Sequence, residues 1–242
     1  MQLHILKDSV EVNKALADFF IQSCNNAIDK KGHCDVVLSG GNTPKKFHEL
    51  LATEYKDKTD WKKINFFFGD ERFVPFNNPN NNGAMAKQTL FDPLGIADAQ
   101  VFYIDTAMQP EVTAKKYASL ILKHFGDDPV QFDFVLLGLG DNVHTASLFP
   151  NTNVLDEKKA LVKHVFVKEI DAMRITMTAA LINEAVNIAF LAYGEGKAEA
   201  VHLAIEGEKN HHLYPAQLIE AEDGEVHWFI DEAAATKLAN KK

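Results

Sequence analysis

The chain has 242 residues, 46% of them hydrophobic and 24% charged, with a formal net charge of −9. That length can bury a sizeable core, and with no Pro/Gly/Ser-rich linker or fixed-period repeat it reads as one domain over 1–242. The acidic balance speaks against general nucleic-acid binding, no apolar run reaches the ~18 residues of a bilayer span, and "MQLHILKDSVEVNK" lacks the basic and apolar regions of a signal peptide.

In chain order, residues 9–31 place Val12, Leu16, Phe19, Phe20, Cys24 and Ile28 at three- and four-residue steps, which predicts an amphipathic helix closed by Gly32. Short apolar runs follow at 34–39, 64–69, 101–104, 132–138, 161–167, 174–178, 187–193 and 226–230. Most lack polar alternation, as strands covered on both faces do. Helical stretches separate many of them, at about 44–53, 84–91, 110–124, 196–205 and 231–240. Strand and helix in alternation predict an α/β protein, with a mainly parallel open sheet and helices on both sides. Ligands of such sheets sit at the carboxyl ends of the strands. Cys24 and Cys34 have no metal or redox spacing and suit a reducing cytoplasm, the expected location.

After the first run comes "SGGNTPKKF", 39–47. Ser39, Gly40, Gly41, Asn42 and Thr43 lead into a helix, with Thr43 as a candidate cap and Pro44 at the first helical position. A helix start behind glycines is a seat for phosphate; the alternative is a turn that needs glycine for geometry alone. After 64–69, "GDERFVPF" puts three charges at a strand mouth, and that placement favours ligand groups over a solvated turn. The polar "NNPNNNG" (77–83) reads as a flexible connection rather than a loop over a substrate.

After 132–138 comes "GLGDNVHTASLFP", 138–150. Gly138 and Gly140 permit a sharp turn, and "HTAS" predicts the start of a helical turn. The positive end of that helix would keep His144 neutral and able to take a proton from water. Strand end, glycines and helix start together favour this over a packing histidine. Arg174 and Lys197 lie near later strand boundaries, where a guanidinium fork and an ammonium make a common phosphate clamp; each alone reads as a surface cation. His211–His212 has no partner at metal-ligand spacing, HExxH and CxxC are absent, and Ser147 lacks the GxSxG elbow. Neither a metal nor a serine nucleophile is expected. Trp61, Trp228 and the aromatic run 66–68 read as core.

Together "LSGGNTP", "FGDERFVP", "GLGDNVHTASLFP", "RITMT", "YGEGKAEAV" and "VHWFIDEAAATKL" resemble the 6-phosphogluconolactonase family, the soluble pentose-phosphate-pathway type grouped with the glucosamine-6-phosphate isomerases. The resemblance implies a three-layer α/β fold shared with glucosamine-6-phosphate deaminases. It implies hydrolysis of 6-phospho-D-glucono-1,5-lactone to 6-phosphogluconate, the second step of the oxidative pentose phosphate pathway, with no metal and no other cofactor. It further implies phosphate binding at Ser39, Gly40, Gly41, Asn42, Thr43, Arg174 and Lys197, a general base at His144, and charge stabilisation by Arg72.

The family usually carries Asp-Gly immediately before the histidine. Here those positions are Asn142 and Val143, with Asp141 one residue earlier. Either Asp141 or Asn142 is left to orient the imidazole, and Val143 calls for a negative φ where glycine would not. Charge developing on the lactone oxygen would meet backbone N–H groups of the 138–144 turn or Arg72. The expected partner is a small sugar-phosphate lactone, without nucleic acid, membrane or obligate protein partner. One rival reading is a glucosamine-6-phosphate deaminase or isomerase, whose histidine loop has a carboxylate where this chain has Phe149. Another is a non-catalytic sugar-phosphate sensor, supported only by the Asn142–Val143 departure.

Overall fold

The computed structural model describes residues 1–240. Helix α1 (Ser9–Lys31) begins where Asp8 accepts from the N–H groups of Val10 and Glu11 at 2.9 and 3.0 Å. It ends where the Gly32 N–H donates to Ile28 O, so both expected ends are present. The buried stripe Val12, Leu16, Phe20 and Cys24 lies against the sheet, with the Phe20 ring edge-on to Phe134 at 5.1 Å. Each large side chain contributes about 1.5–3 kcal/mol on burial, so the stripe outweighs caps of about 1 kcal/mol each.

The strands are β1 (Gln2–Leu6), β2 (Cys34–Leu38), β3 (Ile64–Phe68), β4 (Asp70–Arg72), β5 (Phe134–Gly138), β6 (Val162–Val167), β7 (Ala172–Met177), β8 (Asn187–Ala192) and β9 (Glu225–Asp231). The remaining helices are α2 (Asn42–Glu54), α3 (Asn82–Ala86), α4 (Asp92–Leu94), α5 (Pro110–Phe125), α6 (Ala179–Asn183) and α7 (Ala198–Ile205), with a π-turn Lys87–Phe91 joining α3 to α4. Six strands in the order β1-β9-β8-β5-β2-β3 form one sheet, parallel at every pairing.

Alternation along β2 defines the layers. Cys34 faces Cys24 of α1, while Asp35 faces His124 of α5 at 2.7 Å. Both cysteines are buried free thiols, and the Cys24 thiol, with burial, holds Cys34 protonated. Phe47 of α2 packs edge-on against Phe20, which puts α1 and α2 on the face opposite α5. The chain leaves β2 toward β3 on one side and returns at β5 on the other. Loops diverging at such a reversal open a crevice.

Four sequence expectations are corrected. The runs 161–167 and 174–178 do not join the main sheet; β6 and β7 pair with β4 in a separate antiparallel sheet, order β4-β7-β6. Along β6 Val162, Val165 and Val167 are buried while Phe166 is exposed. Residues 101–104 form one bridge, Val101 to Phe66 on the edge strand β3, before Asp105 turns the chain by accepting from Ala107 N. Residues 231–240 make turns, not a helix; the Asp231 carboxylate takes the N–H groups of Ala234 (2.8 Å) and Gly194 (2.9 Å). Finally, β1 was not expected at all; it pairs only with β9, from the other end of the chain.

Candidate active site

The crevice between β2 and β5 is a cleft of about 370 Å³, and Ser39, Gly40, Gly41, Asn42 and Thr43 all line one wall. Gly41, not Thr43, is the N-cap of α2, and Pro44 stands third in the helix, not first. No side chain caps this helix start, so its first-turn amides suit an anion. The wall is backed tightly. A Cβ on Gly40 would fall 1.8 Å from Asn82 Oδ1, and Asn82 Nδ2 in turn donates to Asp70 O at 2.9 Å.

The three charges at the mouth of β3 divide their roles. Asp70 is buried against the cleft and accepts from Ser147 Oγ at 2.6 Å. Glu71 faces away from the cleft: it accepts from Arg72 N, Asn82 N and Gly83 N at 2.8, 2.7 and 2.9 Å. Burial lifts its carboxyl to about 7 against the pull of those three N–H groups. These bonds pin the far end of 77–83, so the segment expected to be a flexible connection is anchored, with Asn81 and Asn82 buried.

Arg72 does face the cleft, and the β4–β7 register sets it directly opposite Arg174. Like charges directly opposite destabilise a strand pair, so the two guanidinium groups favour an anion between them. Lys197, at the start of α7, is the third cation of the cleft; its Nζ donates to Leu139 O at 2.7 Å and Asp141 Oδ1 at 2.6 Å. On a chain of charge −9 this cluster is local and deliberate in placement.

His144 lines the same cleft, near enough for the charges of Lys197, Arg174 and Arg72 to act on its ring. The expected helical turn at "HTAS" is absent: 144–147 is a tight loop closed by a Thr145–Leu148 bridge. The ring is clamped instead. It stacks on Phe149 with centroids 3.9 Å apart and planes 15° from parallel. A Cβ on Gly140 would lie 2.0 Å from its Nδ1, so only glycine fits there. Burial, then Lys197 and Arg174, push the imidazole down to about 4. The neutrality expected from a helix dipole therefore arises from desolvation and cations.

Of the two candidates for orienting His144, Asn142 takes the place: its Oδ1 lies 2.5 Å from His144 Nδ1 and also accepts from the His144 N–H at 3.3 Å. Asp141 is exposed and turned to Lys197. Val143, where the sequence calls for negative φ, sits at φ 64 with its side chain buried. The left-handed backbone costs about 1–2 kcal/mol, which burial of the isopropyl group offsets. The N–H groups of Gly140, Val143 and His144 are taken within the turn, by His144 O, Gly140 O and Asn142 Oδ1.

Three contributions had no local signal. Phe149 marked only a contrast with deaminases, and Glu169 and Ile170 reach the loop or cleft through tertiary packing. Ile170 lines the cleft from the tip of the β6–β7 hairpin, and Glu169 beside it bonds Asn142. The pair His211–His212 gains Asp156 as a third neighbour, all three exposed and none lining the cleft.

A family model described as "Glucosamine-6-phosphate isomerases/6-phosphogluconolactonase" matches residues 7–228. A Synechocystis sp. protein named 6-phosphogluconolactonase is 38% identical over 218 residues, 88% of each chain. The solved 6-phosphogluconolactonase of Trypanosoma brucei matches with a TM-score of 0.84 at 28% identity, covering 98% of each chain. A monomeric glucosamine-6-phosphate deaminase shares the fold, with a TM-score of 0.80 at 22% identity over 98% of this chain and 99% of that one.

Proposed function

The chain belongs to the glucosamine-6-phosphate isomerase/6-phosphogluconolactonase family, and on that premise we propose that it hydrolyses 6-phospho-D-glucono-1,5-lactone to 6-phospho-D-gluconate. The observation that carries this reading is the cleft itself: a helix start, three cations and an uncharged imidazole all line it. The phosphate docks on the amides of 40–43 between Arg174 and Lys197, releasing Lys197 from Asp141. Docking fixes the lactone carbonyl beside His144 and turns binding energy into orientation.

His144 Nε2 takes a proton from water as the oxygen attacks C1. The negative charge moves to the carbonyl oxygen, beside Arg72. When the carbonyl re-forms, the bond from C1 to the ring oxygen breaks and His144 returns its proton to that oxygen. The acid so formed then ionises. No step calls on a metal or cofactor.

Phe149 separates this reading from the deaminase. An apolar ring stacks on His144 where a carboxylate would raise its proton affinity. Asn142 holding His144 removes the support for a sensor that has lost its base. In this reading the whole chain works as one cytoplasmic domain on a free small molecule, without an obligate protein partner; no helix among the described residues is long and apolar enough to cross a membrane.

The test is lactone hydrolysis, assayed faster than spontaneous ring opening, in wild type and His144→Ala, beside ammonia release from glucosamine 6-phosphate. His144→Ala is expected to lose about a hundredfold or more in kcat with little change in KM. Unchanged turnover in the variant, or ammonia release outpacing hydrolysis, would overturn the assignment.

A further inference from the structure

The loop that holds His144 ends in a residue from the second sheet. Glu169, between β6 and β7, accepts from Asn142 Nδ2 at 2.8 Å, while Asn142 Oδ1 faces His144. We propose that Glu169 is a positioning residue for His144: it fixes which way round the Asn142 amide lies and so selects the imidazole tautomer with a free Nε2. The proposal rests on the reading of His144 as the base.

An ionised carboxylate only accepts, so the amide must turn its NH2 group toward Glu169. The backbone N–H of His144 only donates, so the other end of the amide, 3.3 Å away, must be the carbonyl. With a carbonyl at hydrogen-bond distance, His144 Nδ1 must carry the ring proton. Nε2 then holds the lone pair that the chemistry needs.

Take Glu169 away and one of the two constraints disappears. The long contact to the His144 N–H is left alone to resist a flip of the amide. A flipped Asn142 offers its NH2 group to Nδ1, which favours the other tautomer, with the proton on Nε2 and no base facing water. A carboxylate at 142 would need no such help, because both its oxygens accept. The device is specific to asparagine at this position. The other charged groups that face the ring, Lys197, Arg174, Asp141 and Arg72, act on its charge and not on which nitrogen holds the proton.

The test is a two-by-two set: wild type, Glu169→Ala, Asn142→Asp and the double variant. Each is read by ¹⁵N NMR of histidine-labelled enzyme without substrate and by kcat and KM for the lactone. Glu169 is exposed, so the fold survives its loss, which thermal melting checks. Glu169→Ala is expected to move the His144 nitrogen shifts toward the Nε2-protonated form and to lower kcat about tenfold at constant KM, the loss of one charge-assisted hydrogen bond. In the Asn142→Asp background the same change should cost less than twofold, or reverse by removing a neighbouring like charge. Wild-type nitrogen shifts in Glu169→Ala, or an equal loss of kcat in both backgrounds, would overturn the proposal. Because the NMR arm needs no turnover, a chain that fails to hydrolyse the lactone would defeat the functional reading and leave this one still decided.

Discussion

At the scale of single residues, His144 differs from an ordinary histidine by its environment. Its folded value of about 4 lies below the unfolded 6.5, so folding favours the neutral ring. That stabilisation is complete above pH 6.5 and is lost as pH falls from 6.5 toward about 4. The same sign governs activity. The acid limb of kcat/KM, which reports the free enzyme, should fall near pH 4 and not near 6.5. A profile measured with circular dichroism at each pH separates titration from unfolding. A limb at 6.5 would mean a solvated ring, or another base. The His144 clamp was half legible: glycines and histidine at a strand end signalled it, but the stack on Phe149 and the positive φ of Val143 did not. Both belong to the way the loop closes, which no local pattern encodes.

At the scale of elements, β4 and β7 form a strand pair that is poorer for carrying Arg72 opposite Arg174. Substituting one guanidinium by an unbranched apolar chain should therefore trade function for stability. Arg174→Met is expected to raise KM more than tenfold while leaving the ligand-free melting temperature equal or a few degrees higher. Added inorganic phosphate should stabilise the wild type more than the variant. A variant that melts lower yet keeps its KM would show that Arg174 is a packing residue. Elements were legible where their determinants are local. Helix α1 carries its own cap, stripe and glycine stop, so its bounds could be read directly. Sheet membership could not, because β1 pairs with β9 and the β6–β7 hairpin is tied down by β4, each a partner far along the chain, and the same apolar run serves either sheet.

At the scale of the whole molecule, an acidic chain concentrates three cations where two structural layers meet: the parallel sheet supplies the helix start and Lys197, and the small sheet supplies both arginines. Those charges also count among the causes that hold His144 below its ordinary proton affinity. A dianion in their midst must cancel part of that repulsion, so occupancy of the seat and strength of the base are thermodynamically linked. A lactone with no phosphate is thus handicapped in kcat as well as in KM, and inorganic phosphate supplied separately should accelerate its turnover without being consumed. Acceleration absent at saturating phosphate would break the link. If it holds, the vacant enzyme keeps a dormant base, and only cargo bearing the right ballast wakes it.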